Sequence, residues 1–200
     1  MPSPGLLIPA FVFCVFIVTS ITCNKTGTTG SGEYYWEAVN TSGKPQKRHE
    51  CAFTLANGKA YLIGGRGIHP VEEYDFAGNT WKQLQPTPME MHHFQAVTVG
   101  NAIWIAGAMT GGFPHETPIS DIWIFDPSNN QWNKGPEIPA SRRRGSGGTV
   151  VHNGKVYLIC GITDGHYDGH VRWFDVYDPA TQQWTVLPDA PRARDRFQAA

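Results

Sequence analysis

Lys155-Val-Tyr-Leu-Ile-Cys-Gly161 repeats a pattern already present as Lys59-Ala-Tyr-Leu-Ile-Gly-Gly65 and Ala102-Ile-Trp-Ile-Ala-Gly107. Each copy runs into a loop and then into an apolar segment closed by aspartate: Glu73-Tyr-Asp75, Ile124-Phe-Asp-Pro127 and Val176-Tyr-Asp-Pro179. A short turn leads on to Trp81, Trp132 and Trp184, which stand 51 and 52 residues apart. Asn57-Gly58, Gly100-Asn101 and Asn153-Gly154 precede the apolar runs, and such pairs supply the positive φ of a tight hairpin. The runs lack a polar alternate, as strands covered on both faces should. A unit of this length with four short strands is one blade of a β-propeller.

The bulk composition agrees. Charged residues make up 16% of the chain, with 22 Gly and 15 Pro among 200 residues. That mixture suits short strands joined by many turns, and almost nothing after residue 30 carries a helical apolar period. The mature chain is therefore expected to be all-β. Sixteen Lys and Arg against 17 Asp and Glu leave a net charge of −1, which gives no electrostatic case for nucleic acid or a generic membrane surface.

Met1 to Cys23 contains no Lys, Arg, Asp or Glu, and Leu6 to Ile21 is nearly all apolar. This reads as a secretory signal peptide over residues 1–22, although its n-region lacks a basic side chain. A membrane anchor is the competing reading, but the run is short for a span and contains Pro9. Ser20-Ile-Thr-Cys23 loosely resembles a bacterial lipobox, which would place a lipid on Cys23. Residues 23–33 form a flexible polar tether. Asn24-Lys-Thr26 and Asn40-Thr-Ser42 are glycosylation sequons that matter in a eukaryotic host. Cys51 and Cys160 fall in different repeats and read as small buried hydrophobes.

Taken in order, an Arg or His, the apolar strand, Gly-Gly, Tyr-Asp and Trp resemble the kelch repeat over residues 34–200. Ala106 and Cys160 depart from it at the first Gly of the pair, and Trp104 at the usual Tyr. The resemblance implies a kelch-type propeller with an outer strand at 34–47, blades at 48–91, 92–141 and 142–193, and the start of another at 194–200. Propellers typically have four to eight blades. The rest of the ring is expected either from further sequence of a longer protein or from other copies of this chain.

Two sets of side chains recur where loops gather. His49, His93, Arg144 and Arg196 are spaced 44, 51 and 52 residues apart, near the handover from blade to blade. They are expected to ring one end of the channel. The resemblance implies the region where kelch domains of substrate adaptors bind acidic peptides and bacterial kelch mutarotases bind sialic acid. Arginine pairs with carboxylate through a planar fork. The competing reading makes these arginines structural, bonding carbonyls of the next blade.

The second set lies in the long loops after the second strand: His115, and His166, Tyr167, Asp168 and His170 in Thr163-Asp-Gly-His-Tyr-Asp-Gly-His170. Two histidines four apart could ligate zinc or copper. Gly165 and Gly169 argue for a loop without helical spacing, so these residues are read as exposed polar or sugar-contacting groups. No metal or cofactor is expected.

No phosphate loop, nucleophile elbow or His-Glu-x-x-His is present, and the two Tyr, two His and Cys-Tyr link of galactose oxidase cannot be assigned. The sequence thus points to an exported kelch binding module for a glycan, an acidic sugar or a protein. The alternative is a sialic-acid mutarotase-like epimerase, with Glu50 the nearest acid/base candidate.

Overall fold

The structure, a computed structural model, describes residues 36–200. The signal peptide, the tether and the lipid site at Cys23 lie outside the described residues. Thr41–Ala200 forms one unit, distinct from residues 1–40. It is all-β: among the described residues there is no α-helix, only one 3₁₀ turn at Ala140–Arg142.

The first repeat folds as β1 (Cys51–Ala56), β2 (Lys59–Gly64), β3 (Pro70–Asp75) and β4 (Thr80–Pro86), an antiparallel meander in that order. The second contributes β5 (Ala96–Val99) and β6 (Ala102–Ile105), the small hairpin β7 (Met109–Thr110) and β8 (Thr117–Pro118), then β9 (Asp121–Asp126) and β10 (Gln131–Glu137). The third gives β11 (Gly148–His152), β12 (Lys155–Ile159), the hairpin β13 (Ile162–Asp164) and β14 (Asp168–His170), then β15 (Phe174–Asp178) and β16 (Gln183–Leu187). The main sheets run β5-β6-β9-β10 and β11-β12-β15-β16, matching the first. Residues 163–170, expected as an open loop, are largely the β13–β14 hairpin, with Ile162 paired to His170 and Asp164 to Asp168.

Local chemistry explains each turn. Asn57 and Asn153 take φ of 51° and 49° and the following Gly58 and Gly154 take 75° and 72°, as the tightest hairpins demand. Between third and fourth strands, Asp75, Asp126 and Asp178 accept hydrogen bonds from the N–H groups of Ala77, Ser128 and Ala180 at 2.8–2.9 Å. The register then sets Trp81 against Tyr74, Trp132 against Phe125 and Trp184 against Tyr177, with ring centroids 4.9–5.2 Å apart. Cross-strand aromatic pairs of this kind stabilise a sheet by up to about 1 kcal/mol each.

The core lies between sheets. Tyr61, Ile63 and Val71 of the first meet Ile103, Ile105 and Phe125 of the second. Ala106, Ile122 and Ile138 of the second meet Val156, Leu158 and Tyr177 of the third. Fully burying a side chain such as Ile63 or Leu158 contributes about 2 kcal/mol, and the middle sheet is the one packed on both faces. Residues 36–47, expected as an outer strand, hold a single parallel bridge from Ser42 to Thr80, with Trp81 N–H donating to the Ser42 carbonyl at 2.8 Å.

The glycine closing each second strand is fixed by close approach. Gly161 has φ of 116°, its N–H donates to the Arg194 carbonyl at 2.8 Å, and an added Cβ would lie 2.5 Å from the Gly145 carbonyl oxygen. The residue before it, Cys160, tolerates φ of 54° with its thiol 3.4 Å from the Arg192 carbonyl. Gly154 sits in open space at a milder φ. Gly161→Ala is therefore expected to cost about 2–3 kcal/mol and Gly154→Ala about 1 kcal/mol. Urea midpoints of the two variants check this, and equal shifts would refute the packing argument.

Candidate functional site

The handover between blades is built from backbone. His93 N–H donates to the Glu50 carbonyl at 3.0 Å, Ser146 N–H to the His93 carbonyl at 2.8 Å, and Arg196 N–H to the Ser146 carbonyl at 2.8 Å. All four residues are left-handed, with φ of 60°, 52°, 61° and 51°. Non-glycine residues seldom sit there, and here each is held by a bond from one blade to the next. The four line one cleft of about 470 Å³, with Phe94, Phe197 and His166 also on its wall.

This divides the expected ring. His93 and Arg196 do face the cleft. His49 lies one residue short of the ring position and is exposed, its Nδ1 3.4 Å from Glu50 Oε1. Arg144 lies two residues short and is fully buried. Its guanidinium donates to the carbonyls of Cys160 (2.9 Å) and Leu158 (2.7 Å) and pairs with Asp175 at 2.5 Å. Arg48 does the same in the first blade, bonding the Gly64 and Pro70 carbonyls and Glu72. Arginine here satisfies strand carbonyls and cannot reach a ligand, so the ring positions left vacant by His49 and Arg144 belong to Glu50 and Ser146.

The loop candidates also separate. His166 enters the cleft wall, stacked edge-on between Phe113 and His93 with centroids 4.9 and 5.0 Å away. His115 is exposed beside Asp164, His170 pairs with Asp195 at 3.4 Å, and Tyr167 and Asp168 point to solvent. His166 and His170 therefore serve different partners rather than one shared ion.

Sequence reading missed the groups beneath the cleft. Arg66, from the loop after β2, bonds Glu50 at 2.5 Å and also Glu116 of the β7–β8 hairpin. Glu116 Oε2 lies 3.6 Å from His93 Nδ1 and 3.3 Å from His166 Nδ1. His92 is fully buried against His93, with Nδ1 atoms 2.8 Å apart. Ligand atoms of Glu50, His92, His93 and Glu116 all lie within 4.8 Å of one another. The signal available was Glu116 and Arg66 in register-free loops, which no repeat marks.

Burial lowers the pKa of both imidazoles: His93 to about 4 against the opposing pull of Glu50 and Glu116, and His92 with the Arg66 charge adding to the shift against Glu116 and Glu90. Burial pushes the Glu50 carboxyl up, but the Arg66 hydrogen bond and the charges of His93, Arg66 and His49 together hold it below its ordinary value. At neutral pH the cleft thus offers an anion at Glu50, a neutral His93, a cation at Arg196 and the Ser146 hydroxyl. It is not a ring of positive charge. Ser146 is buried, and its Oγ has no hydrogen-bond partner in the protein.

The family model described as the KLHDC2/KLHL20/DRC7 Kelch-repeats domain matches residues 31–200. The chain belongs to the kelch-repeat family. It is 28% identical over 177 residues to Kelch-like protein terF of Aspergillus terreus, covering 78% of this chain and 37% of that protein. It is 27% identical over 178 residues to human Kelch repeat and BTB domain-containing protein 12, covering 80% of this chain and 28% of that one. The kelch chain thus spans about a third of the length of these curated relatives. A solved kelch-type propeller, titled Structure of YjhT, shares the fold with a TM-score of 0.64 at 17% identity, over 76% of this chain and 54% of that one.

Two outcomes follow for the kelch site. Arg144→Met removes the buried guanidinium from Asp175, which keeps only Arg142 at 3.0 Å, and from the Leu158 and Cys160 carbonyls, and is expected to cost about 3 kcal/mol. Arg172→Met, at an exposed pair 3.8 Å from Asp189, should cost under about 1 kcal/mol; thermal melts check both. For pH, the unfolded imidazole titrates near its ordinary 6.5 and folded His93 near 4, so between these values the unfolded chain binds the extra proton. The stabilisation is complete above pH 6.5 and is lost as pH falls toward 4. Urea midpoints across that range should show the slope and its reduction in His93→Gln, whereas an unchanged slope would count against a buried neutral imidazole.

Proposed function

We propose that this kelch domain is a protein-binding module whose cleft receives a polar segment of a partner, with a partner carboxylate on Arg196. The observation that carries the reading is the convergence of the four ring side chains, Glu50, His93, Ser146 and Arg196, on one cleft. Arg196 is half-exposed, and its nearest anion is its own neighbour, Asp195, at 3.2 Å. Its guanidinium can therefore be shared with an incoming carboxylate, while its backbone stays in the blade junction. Phe94 and Phe197 supply apolar area beside it, the combination that concentrates binding energy at interfaces.

A polar peptide suits this mixture better than a purely acidic ligand does, since Glu50 stays ionised in the same cleft. An acid/base role for Glu50 would call for a carboxyl raised toward neutrality, and its shift runs the other way. We extend the proposal to export, supported by the apolar N-terminal run; N-terminal sequencing of the mature protein would test that part.

The binding test is selection of random peptides on the chain alongside a glycan array. Enriched peptides carrying an acidic residue are expected, with affinity about tenfold weaker for Arg196→Ala, equivalent to about 1.4 kcal/mol, and an unchanged melting temperature. Sialylated glycans with no peptide, or peptide binding indifferent to both Arg196→Ala and Phe197→Ala, would overturn the reading.

A further inference from the structure

The groups under the cleft carry an unbalanced charge. Three carboxylates, Glu50, Glu90 and Glu116, face one guanidinium, Arg66, and three imidazoles, His92, His93 and His166. Glu90 is committed to backbone, accepting from the Gly67 N–H at 2.6 Å and the Gly111 N–H at 3.1 Å. Glu116 is 1% exposed and His92 fully buried. Counting only the three carboxylates and Arg66, the formal charge of this largely buried group is −2, and buried charge is costly unless it is paired.

The atom arrangement shows what would balance it. His92 Nε2 lies 3.2 Å from the Gly111 carbonyl oxygen. A carbonyl only accepts, so Nε2 carries the proton and Nδ1 presents a lone pair. That lone pair faces His93 Nδ1 at 2.8 Å. The other nitrogen of His93 faces Glu50 Oε1 at 3.5 Å, while Nδ1 has Glu116 Oε2 at 3.6 Å; in the tautomer with the proton on the Glu50 side, Nδ1 is bare. Two bare nitrogens then face each other, a pair satisfied by a shared cation. A proton on His93 Nδ1 would also join them, but it leaves the net charge unrelieved.

We infer that His92 Nδ1, His93 Nδ1, Glu116 and Glu50 form a mononuclear site for a divalent transition-metal ion, with zinc as the representative ion. Bonds of about 2.0–2.1 Å in a tetrahedron place donor atoms about 3.3 Å apart. The distances here bracket that edge: 2.8 Å between the imidazoles, 3.6 Å from His93 Nδ1 to Glu116 Oε2, and 3.9 Å from His92 Nδ1 to Glu50 Oε2. Two imidazoles with two carboxylates suit a borderline divalent ion.

The surroundings have the features of an outer shell. The Gly111 carbonyl orients His92, and Arg66 grips both ligating carboxylates, as supporting groups do around metal centres. Four protein ligands close the coordination sphere, so the ion is structural. It would tie the β7–β8 hairpin to the junction between the first and second blades, whatever the cleft itself binds.

The test uses the full chain, stripped with EDTA and titrated with zinc chloride by calorimetry, together with zinc-edge X-ray absorption of the loaded protein. Expected are one zinc per chain, a spectrum with two imidazoles and oxygen ligands but no sulfur, and a melting temperature that rises with zinc. Binding should weaken at least tenfold in His93→Gln and in Glu116→Gln and stay unchanged in His115→Gln. Absence of saturable uptake, a sulfur-containing or single-imidazole spectrum, or uptake unaffected by either ligand variant would overturn the inference. If a variant fails to fold, the wild-type stoichiometry and spectrum decide alone.

Discussion

The backbone relay from Glu50 through His93 and Ser146 to Arg196 is the constraint on which the rest of this unit depends. Each bond joins the entry of one blade to the entry of the next, and each donor or acceptor sits on a left-handed residue. That conformation turns the chain sharply into the first strand, so β1, β5 and β11 start from one locus. With the starts fixed, the inner strands can only stack face to face. The apolar runs then fill the two inter-sheet cores, and the outer Trp pairs follow from the register of the meanders.

Buried charge is handled in two different ways around this relay. Two residues before the ring positions, Arg48 and Arg144 are turned into the blades, where carbonyls and a single acid, Glu72 or Asp175, consume their donors. These are closed arrangements without room for a ligand, Arg48 paired one-to-one with Glu72 and Asp175 shared by Arg144 and Arg142. At the ring itself and below it, acids outnumber bases and burial holds the His92 and His93 imidazoles without charge. Blade packing has no need of such an imbalance. It is the distinction between these two environments, rather than arginine or histidine content, that separates framework from site.

Much of the fold was legible because its determinants are local. Asn-Gly turns, aspartates that cap the third-to-fourth turn, apolar inner strands and a Trp every 51 or 52 residues each act within a few positions of their own sequence. The site was legible in part. His93, Arg196 and His166 could be marked from the repeat and its loops. The register slipped at His49 and Arg144 because the ring position is defined by a backbone conformation that Glu, His, Ser and Arg all adopt, with no shared side-chain type to betray it. Met91 adds to the ambiguity by standing where Arg48 and Arg144 stand in the neighbouring blades. Arg66, Glu90 and Glu116 lie in loops or strand ends with no counterpart between repeats, and only the folded chain brings them to His92. The β13–β14 hairpin escaped notice because its two glycines read as loop punctuation.

A junction made from main-chain atoms leaves the Ser146 and Arg196 side chains without a folding duty. Ser146 and Arg196 hold the blades together through N–H and C=O groups that every residue except proline possesses, and what they project into the cleft is a separate matter. Recognition and assembly are therefore mutationally uncoupled at the same positions. A lineage of such domains can exchange acid for base or hydroxyl for ring at these sites, and so change its partners, while inheriting the blade order intact.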